Sequence, residues 1–120
     1  MDDRSGTIRV LHVDDEPEFA DTVAAFLERE DDRLTVHTAS SATAGLDTID
    51  ELEVDCIVSD YEMPGQDGIE FLKTVREAYP TLPFILYTGK GSEAVASDAI
   101  SAGVTDYLQK ERGTDHYRIL

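Results

Sequence analysis

The feature that most constrains the fold is an alternation between short unbroken apolar runs and stretches whose apolar residues recur at helical spacing. Unbroken runs mark strands buried on both faces, and the periodic stripes mark helices packed over them, so the pattern predicts a parallel sheet flanked by helices. Five such strand–helix pairs can be counted. The first run, Ile8–Val13, ends at Asp14-Asp15-Glu16, and Pro17 then suits the first turn of a helix, where its missing N–H is not needed. Phe19, Val23, Phe26 and Leu27 form the apolar stripe of that helix. Leu34–Ala39 predicts a second strand, Ser41 an N-cap, and Leu46, Ile49 and Leu52 the inner face of the next helix. Cys56–Ser59 is the third strand. The loop Asp60-Tyr61-Glu62-Met63-Pro64-Gly65 precedes a helix carrying Ile69, Leu72 and Val75, closed by Pro80 and Pro83. Residues 84–87 form the fourth strand and Thr88-Gly89-Lys90-Gly91 a loop. Ser92 is then expected to cap a small-residue helix ending at Gly103. Asp106–Gln109 is the fifth strand. A last helix from Thr114 or Asp115 has room for only about two turns of 3.6 residues.

Right-handed crossovers between such units give an open doubly wound sheet, here a flavodoxin-like α/β fold of five parallel strands in the order 2-1-3-4-5. Folds of this kind bind their ligands outside the carboxyl ends of the strands, so the chemistry belongs in the strand-to-helix loops. With 120 residues and no internal linker the chain is expected to be one domain, residues 1–120, with its core at about 7–110. Residues 111–120 then begin the short final helix. That short end suggests a piece of a longer protein, or a single-domain protein with an abbreviated end.

Charge narrows the partners. Acidic residues number 26 against 10 basic ones, a formal charge of −16, which disfavours direct binding to nucleic acid or to anionic membranes. Only three of the basic residues are Lys, and Asp outnumbers Glu. That balance resembles proteins of halophilic archaea, a reading preferred to the alternative of an ordinary acidic surface. A single cysteine, Cys56, allows no intramolecular disulfide and reads as a buried core thiol in a reducing compartment. No apolar run approaches the ~18 residues of a membrane span, and no leader is visible, so the expected location is the cytoplasm.

Three acidic residues fall at strand ends: Asp14 and Asp15 after the first strand and Asp60 after the third. Asp2-Asp3 and Asp31-Asp32 show that an Asp pair alone means little in this composition. Placement is what distinguishes Asp14-Asp15, because the expected strand order sets the first and third strands side by side. Crowded carboxylates repel unless one takes a proton or a cation intervenes. A set of oxygen donors favours Mg²⁺ or Mn²⁺ over zinc, and a remaining carboxylate can then attack phosphorus to form an acyl phosphate.

Val13-Asp14-Asp15-Glu16, Ser59-Asp60-Tyr61-Glu62-Met63-Pro64-Gly65-Gln66-Asp67-Gly68, Tyr87-Thr88-Gly89 and Asp106-Tyr107-Leu108-Gln109-Lys110 together resemble the response-regulator receiver domains of two-component signalling, over residues 7 to about 110. The resemblance implies a signalling switch rather than a turnover enzyme. It makes Asp60 the acceptor of a phosphoryl group from a histidine kinase or phosphotransfer protein. Asp14 or Asp15, or both, with Asp15 preferred, would hold the metal together with Asp60 and the backbone carbonyl of Glu62. Thr88 and Lys110 would contact the phosphoryl oxygens, Gly89 would leave room for the group, and Tyr107 would be the aromatic that changes rotamer as Thr88 moves. The resemblance also implies a surface of fourth helix and fifth strand that engages an output domain, a target or a second copy as a homodimer.

Glu62 and Lys90 occupy positions that tune the phosphoryl lifetime in such domains. Their opposite charges predict a salt bridge across the pocket mouth that hinders the attacking water. Glu111 stands where the family commonly has a proline after the lysine, which predicts a different path for that loop. Taken singly, Thr88, Lys110 and Tyr107 read as a strand-end hydroxyl, a surface lysine and a strand aromatic, and His12 and His37 as strand residues. Three other functions fit less well. A haloacid-dehalogenase-like phosphatase would need an Asp two residues after the nucleophile, where this chain has Glu62. A purely structural module would not need the acceptor-site set. FMN binding would need a phosphate loop where Asp14-Asp15 stand.

Overall fold

The computed structural model describes residues 7–89 and 93–109. Five strands, β1 (Ile8–Val13), β2 (Leu34–Ala39), β3 (Cys56–Ser59), β4 (Phe84–Thr88) and β5 (Asp106–Gln109), form one parallel sheet in the order β2-β1-β3-β4-β5. Four described helices connect them: α1 (Pro17–Glu30), α2 (Ala42–Glu51), α3 (Gly68–Ala78) and α4 (Glu93–Ser101). The doubly wound α/β fold and its strand order are thus as expected, with β4 running one residue further, through Thr88. The expected cap Ser92, Lys90 with its expected rate-tuning role, Lys110 with its bond to Glu111 and the final helix lie outside the described residues.

Alternate strand residues point to opposite faces, and the two faces carry separate apolar clusters. Leu11, Val13, Ile57, Phe84 and Leu86 pack with Ile49 of α2, Phe71, Leu72 and Val75 of α3 and Ala99 of α4. Each of these buried Val, Leu, Ile and Phe side chains contributes about 1.5–3 kcal/mol, and the Ala99 methyl less. Phe71 and Phe84 meet edge to face at 5.5 Å. On the other face Val10, Val58 and Tyr87 pack with Phe19 of α1 and with Leu34, Val36 and Leu108. Cys56, at the start of β3, is half-buried rather than part of the core; burial, and next Asp55, push its thiol pKa up.

Helix ends are fixed by side chains. Ser41 accepts the Ala44 N–H (3.1 Å) at the start of α2, as its sequence position suggests. Asp67 accepts the Glu70 N–H (2.9 Å) while Glu70 accepts the Asp67 N–H (3.1 Å), a reciprocal capping box that starts α3. Helix α4 stops at Ser101, short of Gly103, whose φ of +93° is the left-handed geometry that favours glycine. The Arg76 guanidinium donates to the carbonyls of Tyr79, Leu82 and Gly103, tying the end of α3 to the turn before β5. On edge strand β2 the Glu28 carboxylate accepts the Val36 N–H (2.8 Å), which blunts an otherwise open edge. Among the described residues no helix is long and apolar enough to cross a membrane.

Candidate phosphoryl and metal site

Parallel pairing sets Val13 opposite Ser59, so Asp14 and Asp60 leave adjacent strands at the same level. The ladder continues one step: the Asp60 N–H donates to the Val13 carbonyl (2.9 Å) and the Asp14 N–H to that of Ala39 (3.0 Å). Carboxylate oxygens of Asp14, Asp15 and Asp60 consequently lie within 4.8 Å of one another. Asp14 and Asp60 are buried, 1% and 8% exposed, whereas Asp15 faces solvent. Two carboxylates are therefore set in place by backbone and one can adjust. Asp14 accepts the Glu16 N–H (2.9 Å), which turns the chain into α1. Asp60 Oδ1 accepts the Tyr61 N–H (2.7 Å).

Thr88 closes β4, the neighbour of β3, and is fully buried at the same end of the sheet. Tyr107 lies opposite Leu86 on β5, half-buried against the larger core cluster. Its hydroxyl is buried without a hydrogen-bond partner among the described residues. Glu62 is exposed and lines, with Asp15, Tyr61, Met63, Pro64 and Asp67, a depression of about 440 Å³. A second depression, about 410 Å³, lies along Asp15, Glu16, Pro17, Glu18 and Phe19. Asp15 lines both. Lys90 and Lys110 fall outside the described residues, so the pocket-mouth salt bridge stays an expectation.

Two residues here escape sequence reasoning. His12 is fully buried with Nε2 4.0 Å from Asp14 Oδ2, and its ring stands 6.2 Å from that of Phe19. The available signal was the spacing, since residues two apart on a strand share a face. Gly68 lies so close to the loop after β3 that a Cβ there would sit 2.4 Å from the Asp60 carbonyl oxygen. A glycine directly after a capping Asp, where no turn requires one, was the clue.

Three clustered carboxylates offer hard oxygen donors suited to a small divalent cation. Residues 10–118 match the family model for the response regulator receiver domain. The chain is 34% identical over 102 residues to the regulatory protein VanR of Enterococcus faecium, covering 85% of this chain and 43% of that protein. Its fold superposes on the chemotaxis protein CheY4 of Vibrio cholerae with a TM-score of 0.84 at 27% identity, covering 94% of each chain. The response regulator TrrA of Thermotoga maritima, solved in complex with Mg²⁺-BeF, gives 0.80 at 26% identity, covering 94% of this chain and 95% of that one. The chain spans less than half the length of the curated relatives it matches.

Proposed function

We propose, proceeding from the fact that this chain belongs to the response-regulator receiver family of two-component signalling, that Asp60 accepts a phosphoryl group from a phosphohistidine on a histidine kinase or phosphotransfer protein. The observation that carries the reading is the convergence of Asp14, Asp15 and Asp60 within 4.8 Å at the carboxyl end of the sheet. An Asp60 carboxylate oxygen attacks phosphorus as the bond to the histidine nitrogen breaks. The electron pair leaves with that nitrogen, and an acyl phosphate remains. Asp14 and Asp15, with Asp60 and the Glu62 carbonyl, are the groups that would hold Mg²⁺ or Mn²⁺, and their all-oxygen chemistry fits it. When bound, the cation neutralises carboxylate and phosphoryl charge.

Burial of Asp14 and Asp60 keeps two carboxylates oriented before the donor arrives, while exposed Asp15 adapts to the cation. Thr88 then donates its hydroxyl to a phosphoryl oxygen, Lys110 pairs with another, and Tyr107 changes rotamer as Thr88 moves. A buried hydroxyl without a described hydrogen-bond partner supports that mobility, because such a group is costly to leave unmatched. Glu62, on the rim, and Lys90 tune the lifetime of the acyl phosphate. The face of α4 and β5 transmits the change to an output domain, a target protein or a second copy. The unit spans residues 1–120 and works in the cytoplasm, and its acidic composition fits a halophilic archaeal source.

Intact mass after incubation with phosphoramidate and Mg²⁺ in high salt tests the reading. The expected result is a gain of one phosphoryl group, absent in Asp60→Asn and without metal. A folded protein that gains none from phosphoramidate or from a histidine kinase would defeat the assignment.

A further inference from the structure

The acceptor carboxylate is held through its own following peptide. The Ser59 Oγ–H donates to the Asp60 carbonyl (2.9 Å), and Ser59 is fully buried. That carbonyl belongs to the peptide unit whose N–H, contributed by Tyr61, donates to Asp60 Oδ1 at 2.7 Å. A peptide is planar, with its C=O and N–H fixed in opposite directions, so holding the oxygen also aims the N–H. Gly68 at the start of α3 lies against the same unit, and its own N–H donates to the next carbonyl, that of Tyr61, at 2.8 Å.

We infer that Ser59 is a positioning residue for phosphoryl transfer: it fixes the tilt of the 60–61 peptide and thereby the orientation of the Asp60 carboxylate. This rests on Asp60 being the acceptor. Ser59 touches no reacting atom. Its effect reaches the chemistry through one rigid peptide, and orientation of a reacting group is where small displacements are expensive in rate.

Three variants test it: Ser59→Ala, which removes the hydroxyl; Ser59→Cys, which keeps the size but donates weakly; and Ser59→Thr, which keeps the donor. For each, the rate of phosphorylation by phosphoramidate is measured at saturating Mg²⁺, with Mg²⁺ affinity and thermal unfolding measured on the same samples. Ala and Cys should slow transfer about ten-fold, and Thr should return it to within about two-fold of wild type, a span consistent with one lost orienting hydrogen bond. Asp60 is also among the groups that would hold the cation, so Mg²⁺ affinity should fall with the rate in Ala and Cys and recover with it in Thr, a joint loss and rescue that follows the hydroxyl donor rather than the thermal midpoint, as a loss of packing alone would not. Folded Ala or Cys protein that is phosphorylated at the wild-type rate would overturn the inference while leaving the acceptor assignment intact. A wild-type protein that no donor phosphorylates would overturn both.

Discussion

A methyl group on residue 68 would lie 2.4 Å from the Asp60 carbonyl oxygen, 2.8 Å from Leu86 Cδ1 and 2.9 Å from Tyr61 Cα. The leucine can rotate away; the two backbone atoms cannot, except by shifting the acceptor loop. Gly68→Ala should therefore cost about 1–3 kcal/mol, as overpacking does, and should also slow phosphorylation by displacing Asp60. Gly45 in α2 is the matched control. There a Cβ would meet only side chains, Phe71 and Val13, both at 3.1 Å. Alanine is also the better helix former by roughly 0.5–1 kcal/mol, which offsets the crowding. Urea unfolding of both variants should show a marked loss for Gly68→Ala and a small change for Gly45→Ala. Equal losses would mean that the backbone contact at Gly68 is not what matters.

At the scale of elements, α3 supports the acceptor loop from one side, and its first turn is defined by the Asp67–Glu70 capping box. Asp67→Ala removes the acceptor for the Glu70 N–H and should lower unfolding stability by about 1 kcal/mol, with Asp67→Asn retaining most of it. Denaturant titration of the two variants would decide this. The box is encoded as Asp-x-x-Glu before an apolar stripe, and the same residues belong to the motif that carries the family resemblance. Strands were legible for a simple reason: Ile8–Val13 and Cys56–Ser59 are short, mostly apolar stretches rich in β-branched residues whose ends coincide with Asp14 and Asp60. Asp14 and Asp60 could be paired in advance because strand order alone brings them together. Spacing hints that His12 and Asp14 share a face and that residue 68 lies close to a neighbour, but the 4.0 Å contact, the clamp of Ser59 on the Asp60 carbonyl and the depth of Gly68 are set by side-chain rotamers and helix approach, which residue types alone do not fix.

For the whole molecule, the formal charge of −16 on 120 residues opposes the compact state by self-repulsion. The exposed ion pair between Arg33 and Asp31, joined at 2.8 Å, holds the Asp31 carboxyl down at about 2, yet it is one local attraction set against a surplus of acidic groups. Salt weakens both, and the surplus dominates, so the domain should become more stable as ionic strength rises. Screening is nearly complete once the Debye length has shrunk to about 3 Å at 1 M, so most of the gain should fall below that concentration. Each 1 kcal/mol gained should move the thermal midpoint by about 4–8 °C, or somewhat less in a chain longer than 100 residues. Differential scanning calorimetry in KCl from 0.1 to 2 M, as an order-of-magnitude bracket of screened conditions, would measure the rise. Exchanging the exposed Glu30, Glu51 and Glu77 for Gln makes the chain three charges less negative without touching the acceptor site, and should shrink that rise. A midpoint that is flat in KCl, or a rise equally large in the neutralised variant, would show that charge repulsion does not limit the stability of this fold.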